Sequence, residues 1–585
     1  MMICVRMISL CLLIGLTGTP LFAQEASPAE RLGFQPNILW ISTEDIGCML
    51  AAYGDSTAYT PNIDRLANEG VVYENAFTVA GVCAPSRSSM ITGVYPTSIG
   101  TQHMRTWGIG VPTEIRPFTT YLRESGYYCT NQHKEDFNFK KPTGTWDESS
   151  QTAHWRNRAP GQPFFTVFNN IVTHEHKTWY NERNFLGVDI DDVPVPGYYP
   201  QDNEEVRKSI ARVYSNIMDL DAHVGYIFRQ LESANLLDST IIVFWSDHGG
   251  PLPRQKRELY DSGVKVPFII RYPDGYGAGS RTDELVSLID LGPSMLSLVG
   301  VDVPGHMHGR PFLGGQKATE RDYVYLHRDR MDGQYDLVRG VRDKRYKYFR
   351  NYHPERPNIQ DIRYRLQVPM MQALIDLHEA GELEPEQEIW FHTSKPVEEL
   401  YDTASDPDEL NNLAADPAYQ DKLRELRLAH ESWRAATLDL GAIPEPELHA
   451  IQEREGMALY DWARANPELV RRSWEAALLN VPGTDAKAVL KAARDPFPAV
   501  RYWGLYAMSR VLQDASLGEH YNFVSEQLEH PSVAVQVAAA RILGRHGYLQ
   551  QALNHLESLM EQVGKDSSTH LFVAYTLNEL NQLRE

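Results

Sequence analysis

Three apolar, β-rich runs in this chain each stop at residues able to ligate a metal or move a proton, and that pattern narrows the folds open to it. PNILWIS (Pro36–Ser42) leads into Glu44-Asp45, STIIVFWS (Ser239–Ser246) into Asp247-His248, and PFFTVFNNIVTHEH (Pro163–His176) ends at histidines. Continuous apolar character, rather than alternation, denotes strands covered on both faces. VPFIIRYP (Val266–Pro273) is a fourth candidate strand. TPNIDRLANEG reads as a short helix with Thr60 as N-cap, Pro61 at the first position, Ile63 and Leu66 inward, and Gly70 as C-cap. Strands alternating with helices imply an α/β fold, a central sheet sandwiched by helices. In such sheets ligands gather beyond the carboxyl ends of the strands, where these polar residues fall.

At 585 residues the chain is too long for one core, and two or three domains are expected. Residues 1–23 read as a signal peptide: Arg6, the apolar run MISLCLLIGL, then TGTPLFA before Gln24. That run is too short to span a bilayer, and no later stretch is long enough. A net charge of −21 argues against a nucleic-acid partner and for a periplasmic or secreted protein. Without the leader, Cys48, Cys83 and Cys129 remain, too few for a disulfide framework. A Cys48–Cys129 bridge and two buried free thiols are both compatible with this, the thiols being preferred.

After an α/β domain over 24–345, a smaller α+β subdomain is expected over 346–440, containing ELYDTASDPDELNNLAADP. From 441 to 585 the texture turns to Ala- and Leu-rich helix. Asp495-Pro496 with Ala499-Val500 is matched by His530-Pro531 with Ala534-Val535, 35 residues on, which predicts HEAT-like helical hairpins. This tail is expected to mediate contacts, between protomers or with polymer.

The stretch AGVCAPSRSSMITG places Pro85 and Arg87 two and four residues after Cys83, where a helix begins. Alone it reads as a cysteine in a turn. Glu44, Asp45, Asp247 and His248, at the ends of two neighbouring strands, form a hard donor set suited to Ca²⁺ or Mg²⁺. Taken in order, NILWISTED, C-A-P-S-R, PFFTVFNNIVTH, SDHG, Lys256 four residues before Tyr260, and ELYDTASDPDELNNLA resemble the sulfatases of the alkaline-phosphatase superfamily over about residues 35–435. Within them the pattern is most similar to bacterial relatives of heparan N-sulfatase.

The resemblance implies that Cys83 is oxidised by a maturating enzyme to formylglycine, whose hydrate attacks sulfur and later expels sulfate. It implies one Ca²⁺ at the acidic cluster, Arg87 orienting the diol, Lys134 and Lys256 holding sulfate oxygens, and His174 protonating the leaving group. Two departures stand out. Glu44 replaces the first aspartate of the usual pair. Asp136 stands where the Gly-Lys-x-His histidine is expected, with His133 just before Lys134, so the base role passes to Asp136, His133 or another group.

GTQHMRT and HRDRMDGQYD offer His103, Arg105, Arg328 and Arg330 as ligands for the acidic groups of a sulfated glycan; ion pairing within the fold is the other reading. Two further functions compete. A phosphodiesterase or phosphomonoesterase on the same scaffold would need a second metal and usually a Ser or Thr nucleophile. An inactive scaffold binding a glycan or partner through its tail would not need Cys83, Arg87, Lys134, His174 and Lys256 together.

Overall fold

The computed structural model describes residues 28–106, 108–179, 187–512, 517–565 and 567–584; the expected signal peptide lies outside the described residues. Its centre is an eight-stranded sheet built from β1 (Asn37–Thr43), β2 (Val71–Phe77), β3 (Tyr128–Gln132), β4 (Glu148–Ser149), β5 (Phe164–Asn170), β6 (Thr240–Ser246), β7 (Phe268–Arg271) and β8 (Ser280–Ser287). The strand order is β4-β3-β5-β1-β6-β7-β2-β8, and β7 alone runs against its neighbours. The strand β1 lies between β5 and β6, parallel to both, and every residue of it is buried.

Alternation along β1 supplies two cores. Leu39 and Ile41 join Ile63 and Leu66 of helix α1 (Pro61–Asn68) and the inner face of α3 (Glu204–Ser233). Ile38 and Trp40 join Met90 and Ile91 of α2 (Cys83–Thr92) and the apolar side of α4 (Leu291–Leu298). Asn203 caps α3 by accepting from the Val206 amide, with Glu204 and Glu205 in its first turn, where the helix dipole favours carboxylates. One expectation is corrected here. Helix α1 closes at Glu69, and Gly70 is required instead for close approach: a Cβ there would lie 2.5 Å from the Ile270 carbonyl oxygen.

A four-stranded antiparallel sheet follows, ordered β12-β11-β10-β9, from β9 (Val324–Arg328), β10 (Val338–Arg342), β11 (Tyr346–Asn351) and β12 (Glu398–Asp402). Leu423 and Leu426 of α5 (Gln420–Thr437) pack against Val341, Tyr348 and Leu400 on it. The boundary expected at 345/346 therefore falls in the hairpin turn between two paired strands, and the subdomain starts near residue 324. A turn rich in charge imitates a linker in sequence; strand pairing on both sides of it makes it internal.

The C-terminal region is helical: α6 (Glu445–Glu455), then hairpins of α7 (Ala486–Ala492) with α8 (Pro498–Leu512), α9 (Tyr521–Glu526) with α10 (Val533–Arg545), and α11 (Leu549–Gln562) with α12 (Ser568–Asn581). The second helices start at Pro498, Val533 and Ser568, so the repeat period of 35 residues read from the sequence continues once more. This region is joined to the body by a shared core in which Tyr335, Leu337 and Tyr352 meet Trp474 and Trp503. Cys48 and Cys129 are free thiols. Among the described residues no helix is long and apolar enough to cross a membrane.

Candidate active site

Parallel pairing assembles the acidic cluster. Thr43 of β1 is in register with Ser246 of β6, so the residues that follow, Glu44-Asp45 and Asp247-His248, emerge side by side. Asp45 turns the chain with φ 53°, a conformation aspartate tolerates better than most residues. Cys83 occupies the first turn of α2 directly after Val82, 1% exposed, with its Sγ 3.3 Å from His248 Nε2 and 4.0 Å from Asp45 Oδ1. The amides of that first turn favour negative charge at this point.

Arg87, one turn further on, donates from Nε to Asp247 Oδ2 at 2.9 Å and from a terminal nitrogen to Asn169 Oδ1 at 2.9 Å. Lys134, beyond β3, donates to Glu44 Oε2 at 2.6 Å. Lys256 reaches Asp45 Oδ2 at 2.5 Å. Its loop is docked by close backbone contact: Arg257 N donates to Gly81 O, and a Cβ on Gly81 would lie 2.3 Å from the Glu258 carbonyl oxygen. Arg257 itself has φ 77°, an unfavourable conformation for arginine, held by paired hydrogen bonds to both Glu175 oxygens at 2.9 Å.

The charges interlock. Burial opposes ionisation of Asp247, yet His248, Arg87 and Lys134 hold its carboxyl down at about 2. Burial likewise opposes charge on His248, but Asp247 and Asp45 carry it up to about 10. Burial alone would raise the Cys83 thiol; Lys134 and Lys256 outweigh it and keep the thiol below its ordinary value. Glu44 is the exception, since burial pushes it up despite Lys134 and Arg87. Its Oε1 is buried with no hydrogen-bond partner among the described residues.

That oxygen, 3.6 Å from an Arg87 terminal nitrogen but without a hydrogen bond, tests the site for a cation. Donor atoms of Asp45, Cys83, Asp247 and His248 lie within 4.8 Å of one another, as do those of Glu44, Asp45, Cys83 and His174. His248 Nδ1 is 3.1 Å from the Gly249 carbonyl, the geometry of an N–H···O bond that leaves Nε2 aimed at the cluster. Three carboxylates and an imidazole thus fit a bound metal ion.

His174 follows β5 after a turn closed by its own N–H on the Ile171 carbonyl. Its Nε2 lies 3.7 Å from Glu44 Oε2, its Nδ1 is 2.7 Å from His176 Nδ1, and burial lowers its pKa. Beside it stands an aromatic wall: the Tyr364 ring is 6.1 Å from His174 and 4.7 Å from Trp179, with Arg257 5.8 Å above it. Asp136 Oδ2 lies 3.8 Å from Lys134 Nζ, whereas His133 is exposed.

The glycan-binding expectation is corrected for three residues. Arg330 is fully buried and forks onto Glu445 at 2.6 and 2.8 Å. His103 Nδ1 accepts from the Arg330 amide at 3.2 Å, and Arg328 pairs with Glu258 and Asp336. These groups hold the body to the subdomain and tail rather than facing a ligand. Arg105 is half exposed and lies 3.5 Å from Asp136. Sequence reading missed Asn169, Glu175, Trp179 and Tyr364. The strand-end rule that found Glu44 also covers Asn169; nothing local marks Tyr364.

A buried nucleophile candidate at a helix N-terminus, flanked by two lysines, an arginine and a metal-capable cluster, defines a hydrolase that acts on tetrahedral oxyanion esters. The family model described as "Sulfatase" matches residues 36–301, and "N-sulphoglucosamine sulphohydrolase, C-terminal" matches 254–369. An ulvan-active sulfatase of Formosa agariphila is 42% identical, over 72% of this chain and 79% of that protein. Human N-sulphoglucosamine sulphohydrolase is 25% identical, over 69% of this chain and 90% of its own length. A phosphonate monoester hydrolase structure from Silicibacter pomeroyi superposes with TM-score 0.54 at 18% identity, covering 69% of this chain and 96% of that one, a likeness of fold alone. The chain belongs to the sulfatase family and is a sulfuric ester hydrolase.

Proposed function

We propose that this chain releases sulfate from a sulfate ester or sulfamate on a sulfated saccharide. The observation that carries the reading is Cys83 at the start of α2, buried among Lys134, Lys256 and the carboxylate cluster. Formylglycine at position 83, made by a maturating enzyme, would supply a hydrated aldehyde as the nucleophile toward sulfur. Glu44, Asp45, Asp247 and His248 would hold Ca²⁺, which supplies charge neutralisation at the sulfuryl oxygens. Arg87 orients the group at position 83; Lys134 and Lys256 bind sulfate oxygens and stabilise the charge that develops on them. His174 delivers a proton to the departing sugar oxygen or nitrogen. Asp136, 3.8 Å from Lys134 Nζ, is the candidate base in place of the expected histidine. A leader over residues 1–23 directs the enzyme to the periplasm or outside the cell, and the tail is a HEAT-like stack.

Sulfate release measured by ion chromatography tests the reading, with ulvan, heparan sulfate and glucosamine N-sulfate as substrates and a phosphonate monoester as the rival. Release from none of the sulfated saccharides, with turnover of the phosphonate, would reject it in favour of the phospho-ester alternative. His174→Ala is expected to slow release from a sugar sulfate by about 10²–10³-fold, and to slow an activated aryl sulfate much less, because only the poor leaving group needs the proton. Equal losses on both substrates would remove His174 from that role. Tyr364→Ala is expected to raise KM for a saccharide sulfate about fivefold by removing the ring that a sugar face would pack on, leaving kcat nearly unchanged. A fall in kcat with constant KM would instead make Tyr364 a support for Arg257.

A further inference from the structure

We propose that His176 is a positioning residue for His174: it holds the His174 proton on Nε2, facing the reaction centre, and replaces it from solvent once it is spent. The inference deepens the proposed reaction and rests on His174 being the acid that protonates the departing sugar.

The two histidines stand on either side of Glu175, beyond the end of β5, and Glu175 anchors them. Its backbone N–H donates to Asp45 Oδ2 at 2.7 Å, and both its carboxylate oxygens accept from Arg257 at 2.9 Å. One turn of 3-10 helix, Glu175–Lys177, folds His176 back onto His174 and brings the two Nδ1 atoms within 2.7 Å. At that distance one hydrogen lies between them, so one ring donates and the other accepts. The main chain decides which. The His176 backbone N–H also points at His174 Nδ1, at 3.4 Å, and an amide can only donate. His174 Nδ1 is therefore the acceptor and carries no hydrogen.

The rest follows from imidazole chemistry. A neutral ring has one N–H, which in His174 is then on Nε2, the atom 3.7 Å from Glu44 Oε2. His176 has its hydrogen on Nδ1 and a bare Nε2. That residue is partly exposed, and its Nε2, without a hydrogen-bond partner among the described residues, is left to water. Burial lowers the pKa of both rings, that of His176 to about 4, so the pair is uncharged at neutral pH. An uncharged imidazole that gave up its only hydrogen would become an anion. The pair avoids this: as His174 passes its Nε2 hydrogen to the departing oxygen or nitrogen, His176 passes its Nδ1 hydrogen to His174 Nδ1. A proton from solvent enters at His176 Nε2, and both rings end uncharged. The reverse shift, with water donating to His174 Nε2 after the product leaves, restores the pair.

In the full-length, matured enzyme, His176→Leu is expected to lower kcat on an ulvan oligosaccharide or glucosamine N-sulfate by about 10–100-fold, with KM nearly unchanged. Turnover of an activated aryl sulfate, whose leaving group needs no proton, should stay close to that of the wild type, which also shows that the variant folds. His176→Asn keeps an N–H where the Nδ1 hydrogen stood but cannot pass a proton through, so it should share the loss. ¹⁵N NMR of the histidine-labelled chain, with His174 assigned from His174→Ala, places the hydrogens without turnover. His174 should carry its hydrogen on Nε2 in the wild type and in His176→Asn. A His174 Nδ1–H in the wild type, equal losses on both kinds of substrate, or wild-type saccharide turnover in either variant would overturn the proposal. A chain that hydrolyses the aryl sulfate but no saccharide sulfate would overturn it together with the proposed reaction, whereas the wrong tautomer in the spectrum overturns it alone.

Discussion

Cys83→Ala is expected to abolish sulfate release, lowering kcat by about 10⁴–10⁶-fold, the range seen when a covalent nucleophile is deleted. The loss comes from chemistry rather than folding. Cys83 makes one close polar contact to His248 and a longer one to Asp45, and Ala keeps the Cβ that packs at the start of α2. Removing one buried sulfur costs about 1–2 kcal/mol, so the variant should fold and bind a sulfated saccharide without turning it over. Peptide mass analysis across residue 83 supplies the companion result. Active enzyme should carry the aldehyde in place of the thiol, and enzyme made without a maturating partner should carry cysteine and be inactive. Full turnover by the Ala variant, or an active preparation containing only cysteine, would falsify the mechanism.

Asp247 carries the second large effect because it serves two partners. Its Oδ2 accepts from Arg87, which is 1% exposed, and its Oδ1 faces the metal-capable cluster. Asp247→Ala should cost about 3–5 kcal/mol of stability, since a buried guanidinium loses its principal counter-charge. Asp247→Asn keeps the shape and is expected to fold, yet to weaken the binding of the metal ion proposed for the cluster and to lose about 10³-fold in kcat. Elemental analysis beside turnover separates the roles: wild-type metal content and wild-type turnover in the Asn variant would remove Asp247 from the site. The pH dependence has a definite sign. The folded carboxyl, at about 2, lies below the ordinary aspartate value of ~3.9. Its stabilisation is therefore fully present above that ordinary value and disappears as pH falls through about 2.

How much of this was legible in the chain depends on the range of the interaction. The ends of β1 and β6 could be read because an apolar run followed by acids is a local pattern, and parallel pairing then sets those ends side by side. The Cys83 turn was legible for the same reason, and its helix begins at the cysteine itself. Arg328 and Arg330 were misread because their His- and Arg-rich surroundings look like a ligand site, while the carboxylates that neutralise them, Glu258 and Glu445, lie 70 and 115 residues away. The subdomain boundary was misplaced because the pairing of β10 with β11 carries no mark in the hairpin between them.

By itself, then, the sequence determined the alternating strand–helix order, the candidate reactive and metal-capable residues at the strand ends, and the 35-residue period of the tail. These follow from short-range periodicity and from side-chain chemistry. Only the tertiary structure decided which charges are spent inside the protein and which face a ligand. It locked Arg330 and His103 into the interface with the tail and set Tyr364 beside His174. Burial and pairing depend on contacts between residues far apart in the chain, and a charge acquires its role only when its neighbours in space are known.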